Sequence, residues 1–208
     1  MSGLLTTWGY KLTELNTLPD LITAEEFNAY TGSKYAGFAD RIAAEIPAAS
    51  AAVRNFVGWH LGPAAACELN TTFLDRRVTR IGADVLIQLP ARHVTEIGSV
   101  TIDGTEEDSY VLDPTGLLRV LNCGGFERFT PIVVTYTAGL PDALMAPIKE
   151  LIAHQVTHAV AVPAGVTSEA SGGVSVTYNA NWINNARATG LASDNKELLI
   201  PYKVEGVF

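Results

Sequence analysis

Residues 23–62 decide the fold: TAEEFNAYTGSKYAGFADRIAAEIPAASAAVRNFVGWHLG. This stretch reads as a short helix, a turn and a longer helix. Thr23 and Glu26 have the spacing of a capping box, in which the threonine hydroxyl accepts from the Glu26 amide and the carboxylate reaches back. Gly32 stands where a helix needs a left-handed residue to end. The sequence therefore predicts a first helix that begins after Thr23 and ends at Gly32.

The longer helix carries apolar residues at steps of three and four, which place them on one face. They are Phe38, Ile42, Ile46, Ala49, Val53, Phe56 and Val57. Pro47 interrupts the pattern, because proline has no amide to donate and crowds the preceding turn. We expect a kink at Pro47 or a fresh helix that begins there.

The opposite face of this helix holds small residues, which allow another helix to approach closely. They are Ala43, Ala44, Ala48, Ser50, Ala51 and Ala52. Two interpretations stay open at this point. The helix is an ordinary core helix, or its small residues form a contact between subunits. In the second case Ala44, Ala48, Ala51 and Ala52 are the packing residues.

The composition limits the classes of partner. Among 208 residues there are 14 basic and 22 acidic ones, for a net charge of −8. This balance argues against tight binding of a phosphate backbone, and it still allows a wall past which DNA slides. Cys67 and Cys123 match no metal or redox spacing, so we expect reduced, buried thiols in a protein made in the cytoplasm. No signal peptide or membrane-spanning run is predicted.

The remaining pattern is β in the middle and helical at both ends. Residues 1–20 lack a clean period and are interpreted as an arm that docks, in one interpretation on a neighbouring subunit. Short alternating runs between turn signals, among them 94–102 and 110–112, predict about five or six antiparallel strands in a small barrel or sandwich. Helical periodicity returns after Pro141, along Leu144, Ile148, Leu151, Ile152, Val156 and Val160.

The predicted fold class is therefore α+β. N-terminal and C-terminal helices pack together as a helical core, and an antiparallel β region is inserted between them. We expect three parts: residues 1–62 with the arm and the first half of the core, residues 63–140 with the β region, and residues 141–208 with the second half of the core and a C-terminal tail.

The clearest enzymatic candidate is the pair His154 and His158, which HQVTH places one helical turn apart on one face. In the zinc-protease pattern H-E-x-x-H the glutamate activates a metal-bound water. Gln155 stands at that position and cannot act as a base. The alternative is two polar residues on the outer face of an amphipathic helix. We find no nucleophile elbow, phosphate loop or dinucleotide fingerprint.

Three other polar features are interpreted structurally. His60 beside Trp59 is expected to cap or pack a helix end. Arg76, Arg77 and Arg80 are expected to form ion pairs on a β surface. The acidic residues of one hairpin are expected to be a solvated loop, and they are Asp103, Glu106, Glu107 and Asp108.

The order of the segments resembles that of the head–tail connector (adaptor) proteins of long-tailed bacteriophages. The segments are LITAEEFNAYTG, VRNFVGWHLGP, PIVVTYTAGLPDAL, SEASGGVSVTY and KELLIPYKV. The resemblance extends over about residues 20–204, and its specificity lies in the order of the motifs. Pro47 departs from the family pattern, in which that helix is uninterrupted.

The resemblance implies a virion protein and no enzyme or cofactor. Its subunits would form a ring, usually a dodecamer, beneath the portal protein, with the genome passing through the channel without sequence-specific binding. The lower face would receive a neck (stopper) or tail-terminator protein, and no membrane is involved. A C-terminal segment would dock on the portal. By apolar content and position, Tyr202, Val204, Val207 and Phe208 are the expected docking residues.

Two other classes of function remain as alternatives. One is a metal-dependent hydrolase that uses His154 and His158. The other is a soluble binding module whose β insertion holds a ligand. The mass of the native assembly separates them from the connector, because only the connector requires a high-order ring.

Overall fold

The structure is a computed structural model and describes residues 3–113, 115–124, 127–161, 168–171, 174–177, 191 and 193–204. The chain divides into two compact units. The β unit consists of residues 1–18, 58–143 and 202–208, and the helical unit consists of residues 19–57 and 144–201. The predicted α+β class is confirmed. The three-part division at residues 62 and 140 stays a prediction.

The larger sheet of the β unit has six antiparallel strands. Its strands are β1 (Leu4–Leu5), β2 (Lys11–Leu12), β3 (Ala65–Thr72), β6 (Val94–Ile102), β7 (Thr105–Glu106) and β10 (Pro131–Ala138). Their spatial order is β1–β2–β3–β10–β6–β7. Along β10 every second side chain is buried, as expected for a strand with one face in the core.

The smaller sheet has four antiparallel strands in the order β4–β5–β9–β8. They are β4 (Val78–Ile81), β5 (Asp84–Gln88), β8 (Tyr110–Leu112) and β9 (Leu117–Val120). Val85, Ile87, Leu118 and Val120 are buried on one face of it. In the described residues the inserted region thus holds eight strands, β3 to β10, more than the expected five or six.

The N-terminal arm is part of the larger sheet of its own chain. Lys11 pairs with Glu68 and Leu12 pairs with Cys67, so β2 extends β3. Trp8, Tyr10 and Leu12 are buried. The prediction that the arm docks is confirmed. The interpretation that it docks on a neighbouring subunit is wrong, because residues of the same chain supply its hydrogen bonds.

The helical unit contains α1 (Ala24–Thr31), α2 (Ala39–Val57), α3 (Asp142–Ala161, whose first two residues belong to the β unit) and α4 (Ser193–Leu199). Short 3₁₀ helices cover Ala36–Phe38 and Ile200–Tyr202, and β11 (Ser168–Ser171) pairs with β12 (Val174–Thr177). In the described part of the chain, no helix is both long enough and apolar enough to cross a membrane.

The local signals at α1 are confirmed. The Thr23 hydroxyl accepts from the Glu26 amide at 3.1 Å, and the Glu26 carboxylate accepts from the Thr23 amide at 2.9 Å. Gly32 ends the helix with φ 60°. Such a left-handed residue is the usual way to satisfy the last carbonyls of a helix.

Of the two alternatives at Pro47, the fresh helix is wrong and the kink stays a prediction, and the expected burial of Phe38 is also wrong. α2 continues across Pro47, so no fresh helix begins there. The missing proline amide would have bonded the carbonyl of Ala43, and both residues lie on the exposed side of the helix, where water satisfies a free carbonyl. Phe38, expected on the buried face, is 52% exposed, because it lies in the 3₁₀ turn before α2 begins.

Candidate interaction surfaces

The outer face of α2 is made of small residues. Between positions 43 and 51, the exposed residues are Ala43, Ala44, Pro47, Ala48 and Ala51. None of them is polar or charged, although the outer face of a surface helix normally is. We call this set the alanine face. Ala52, which the sequence also placed on it, is half-buried.

Ser50 does not belong to the alanine face. It is 1% exposed, and its hydroxyl accepts from the backbone amide of Leu21 at 3.0 Å. Arg54, 5% exposed, donates to the carbonyl of Pro19 at 2.7 Å. These bonds tie the segment before α1 to the inner side of α2. The alanine face therefore points away from the residues that hold α2 in its unit.

Further polar contacts link α3 to α2 and to α1. The guanidinium of Arg41 donates to the carbonyl of Ala159, near the end of α3. Lys149 of α3 forms an ion pair with Glu26 of α1. The pKa of Glu26 is lowered, first by the hydrogen bond from Lys149 and then by the Thr23 amide. All three long helices of the helical unit are thus linked by polar contacts.

The C-terminal segment begins at an anchored point in the β unit. The indole nitrogen of Trp59 donates to the carbonyl of Tyr202 at 2.8 Å. Tyr202 is half-buried, and Val204 is only 2% exposed. Of the four expected docking residues, Val204 is thus enclosed by its own chain. Val207 and Phe208 lie outside the described residues.

A buried polar cluster joins the N-terminal arm to His60, in the segment of the β unit that precedes β3. The Tyr10 hydroxyl accepts from the His60 amide at 2.8 Å and lies 2.7 Å from His60 Nδ1. His60 Nε2 lies 3.1 Å from the carbonyl of Ala138. A carbonyl can only accept, so Nε2 carries the proton and donates to Ala138, and Nδ1 of the neutral ring accepts from the Tyr10 hydroxyl. His60 packs against Trp59 as predicted, with ring centroids 5.1 Å apart.

Sequence reasoning did not find Tyr10 as a partner of His60. Fifty residues separate the two along the chain, and no spacing rule links them. The only signal was the aromatic content of the arm, where Trp8 and Tyr10 occur close together.

Both cysteines are free and buried, which confirms the prediction of buried, reduced thiols. Burial raises the pKa of the Cys67 thiol to about 12. The pKa of Cys123 is also raised, first by burial and then by the charge of Glu107. Since the thiolate is the nucleophile and the metal ligand, neither cysteine is suited to these roles near neutral pH.

The two histidines of α3 do come together. The ring centroids of His154 and His158 are 4.9 Å apart. His154 is exposed and His158 is half-buried. Burial, and then the neighbouring His154, lower the pKa of His158. Among the described residues, no group of three or more His, Cys, Asp or Glu side chains is arranged to hold a metal ion.

The charged clusters behave as surface features. Arg77 lies 3.8 Å from Asp75 and donates to the carbonyl of Trp8 at 2.9 Å. Arg80 donates to the carbonyls of Gly82 and Gly124. Of the acidic hairpin, Asp103, Glu106 and Asp108 are exposed and Glu107 is half-buried. Among the described residues the predicted ion pair is therefore present for Arg77, whereas Arg80 binds backbone carbonyls. The hairpin is a solvated loop as predicted.

Most of the chain matches a known protein family. A sequence model described as head completion protein matches residues 20–185. A search of curated proteins gave no match. The matched stretch contains the capping box, the alanine face, both sheets apart from the N-terminal arm, and the whole of α3. It is also most of the region in which the sequence resembles the connector proteins. The chain therefore belongs to the head completion protein family and is a phage protein of the head–tail connector (adaptor) type.

Proposed function

We propose that this protein is one subunit of a ring, a dodecamer, that binds beneath the portal protein and passes the genome through its channel. On its lower face it receives a stopper or tail-terminator protein, and so attaches the tail. The family establishes a structural role in the phage head and a place in the virion, and it is not a family of enzymes. The ring, the portal contact and the channel are the proposal.

The main support for the proposed ring is the alanine face of α2. Ala44, Ala48 and Ala51 are exposed at steps of four and three, which puts them on one stripe of the helix. Helices pack with axes about 8–10 Å apart, and the smallest side chains allow the closest approach. In an isolated subunit this stripe faces solvent. A helix of the next subunit would cover it without burying a charge.

The acidic balance supports passage of the genome. The net charge of −8 repels a phosphate backbone at long range. A channel wall with this balance lets DNA move through it, whereas a basic wall would hold the DNA by releasing counterions.

The C-terminal segment supports a portal contact that involves fewer residues than the sequence predicted. Val204 and the carbonyl of Tyr202 are held by the β unit. We propose that they anchor the base of the segment and that Val207 and Phe208 dock on the portal. Tyr202 contributes at most its half-buried ring.

A truncation after Val204 tests the proposal. Burial of a valine and a phenylalanine contributes about 3–6 kcal/mol before ordering costs, so their loss should weaken portal binding by roughly 100-fold. We expect heads that fail to join tails, with an unchanged unfolding midpoint. Glu205→Gln, which keeps both apolar residues, is the control. Electron microscopy of joined wild-type particles should show a ring of this chain under the portal. Normal joining by the truncated chain, or particles without a ring, would contradict the proposal.

A further inference from the structure

A cavity opens at one end of the larger sheet. β3 and β6 begin at this end and β10 finishes there. The cavity has a volume of about 370 Å³. Its lining includes Ala64, His93, Val94, Thr95, Leu140 and Pro141. Most of these groups are apolar, so the cavity offers little to a charged ligand and suits an apolar side chain.

An exposed apolar knob lies at the opposite end of the same strands. Thr72 pairs with Pro131, and the two chains then continue into the loops that carry Leu74 and Phe129. Both residues lie in turns at this end, closed by hydrogen bonds from the Asp75 amide to the Thr72 carbonyl and from the Thr130 amide to the Glu127 carbonyl. Phe129 is 75% exposed and Leu74 is 52% exposed. An aromatic side chain this exposed on a loop tip is a typical anchor for a protein contact.

The knob of one subunit cannot fill its own cavity. β10 has eight residues, and a strand rises about 3.4 Å per residue, so the two ends lie roughly 27 Å apart. Any occupation of the cavity by Phe129 must therefore come from another copy of the chain.

We propose that Phe129 of one subunit inserts into the cavity of the next, with Leu74 packing at the mouth. Each copy donates one knob and receives one, which is a heterologous contact. Such contacts close into a ring when the rotation between copies closes. The inference rests on the proposed ring and adds a second, specific contact to the packing of α2. A cavity of 370 Å³ lies near the lower end of the roughly 300–1,000 Å³ range of ligand pockets, a size suited to one aromatic group.

The charges around the two features are complementary. Arg128 precedes Phe129, and Asp142 follows Pro141 at the cavity, and both are exposed. Glu127 on the knob side is exposed and Arg92 on the cavity side is half-buried. Each side thus carries one acid and one base, so a docked neighbour would pair Arg128 with Asp142 and Glu127 with Arg92. Rim pairs of this kind contribute little to affinity, but they select the orientation of a contact.

Cross-linking in assembled particles tests the inference. Arg128→Cys, which keeps Phe129, and Thr95→Cys are combined in one chain, and joined particles are treated with a short thiol-specific cross-linker. We expect a ladder of covalent multimers that extends beyond the dimer. The matched control combines Ile81→Cys, at a position 57% exposed on the smaller sheet, with Thr95→Cys and should give no ladder. Cys67 and Cys123 are buried and remain in all variants.

The outcomes separate this inference from the proposed function. A ring seen by microscopy without the ladder overturns the knob-and-cavity contact and leaves the ring standing. Dimers formed by Arg128→Cys alone show a tip-to-tip contact and also overturn it. Particles without a ring of this chain overturn both. Phe129→Ser should weaken ring formation at least tenfold, whereas Phe38→Ser, at a position 52% exposed in the helical unit, should not.

Discussion

The β unit and the helical unit complete their surfaces in different ways. The β unit joins residues far apart in sequence, as in Tyr10 with His60 and Trp59 with Tyr202. Its polar groups at these places are bonded within the chain. The helical unit leaves the alanine face of α2 exposed, with no polar residue among the exposed positions from 43 to 51.

This difference shows where the chain depends on other copies. A closed polar cluster makes a unit rigid, because loss of one partner leaves another buried group unbonded. An exposed stripe of alanines favours the helix but buries no surface in the isolated subunit. We therefore expect substitutions in the Tyr10 cluster to change stability and substitutions on the alanine face to change assembly.

The largest effect is expected for Ala48→Glu. The position is exposed, and glutamate is a good helix former, so the free energy of unfolding should change by less than about 0.5 kcal/mol. In the ring the carboxylate would be buried without a partner, at a cost of several kcal/mol. Joined particles should fall by roughly 100-fold or more. Native mass measurement and counts of joined particles check this.

The matched control is Ala146→Glu, which makes the same change at an exposed position of α3. It should join normally. Equal behaviour of the two variants would show that the alanine face is not an interface, and the contrast between the two units would then lose its functional meaning.

The sequence predicted the features that depend on near neighbours. The capping box of Thr23 and Glu26 and the end at Gly32 are contacts between residues a few positions apart, and all are confirmed. The predicted strands at 94–102 and 110–112 match β6 and β8 in full. Alternation and turn residues carry this information within each strand.

Features that depend on distant residues were missed or were wrong. Nothing in the N-terminal arm indicates that Leu12 pairs with Cys67, because that register is set across more than fifty residues. The exposure of Phe38 depends on where the 3₁₀ turn becomes α2. The sequence showed the small residues of the alanine face, but it left core packing and subunit contact equally open. The burial of Ser50 on the other side of α2 shows which face of the helix is turned to solvent.

A smaller effect, on stability alone, is expected for Tyr10→Phe. The change removes the hydroxyl that pairs with the amide and Nδ1 of His60, and His60 is only 2% exposed. Leaving such buried groups unbonded costs about 1–3 kcal/mol. Urea unfolding should show this loss, and folded protein should still assemble.

Tyr30→Phe serves as its control, because Tyr30 is 47% exposed. It should change the free energy of unfolding by less than about 0.5 kcal/mol. If Tyr10→Phe were as stable as Tyr30→Phe, the polar cluster would not secure the β unit. A loss of assembly without a loss of stability would place the arm, and not α2, at the interface.

The smallest effect is expected for Glu26→Gln, because glutamine keeps the capping hydrogen bonds and removes only the charge. The folded pKa of Glu26 lies below its ordinary value of 4.5, first because Lys149 donates to it. The stabilisation is therefore fully present above pH 4.5 and is lost as pH falls through the folded pKa. Since the Glu26 side chain is 38% exposed, the difference at pH 7 should be below about 1 kcal/mol.

Urea unfolding of both chains at pH 7 and at pH 3 measures this difference. The difference in free energy of unfolding between wild type and Glu26→Gln should narrow at pH 3. Glu25→Gln is the control, because it makes the same change of charge in the same helical turn without altering the capping box. A gap that stays constant with pH would mean that the charge of Glu26 contributes nothing. The link from α1 to α3 would then depend on apolar packing alone, as the contact across the alanine face is expected to do between subunits.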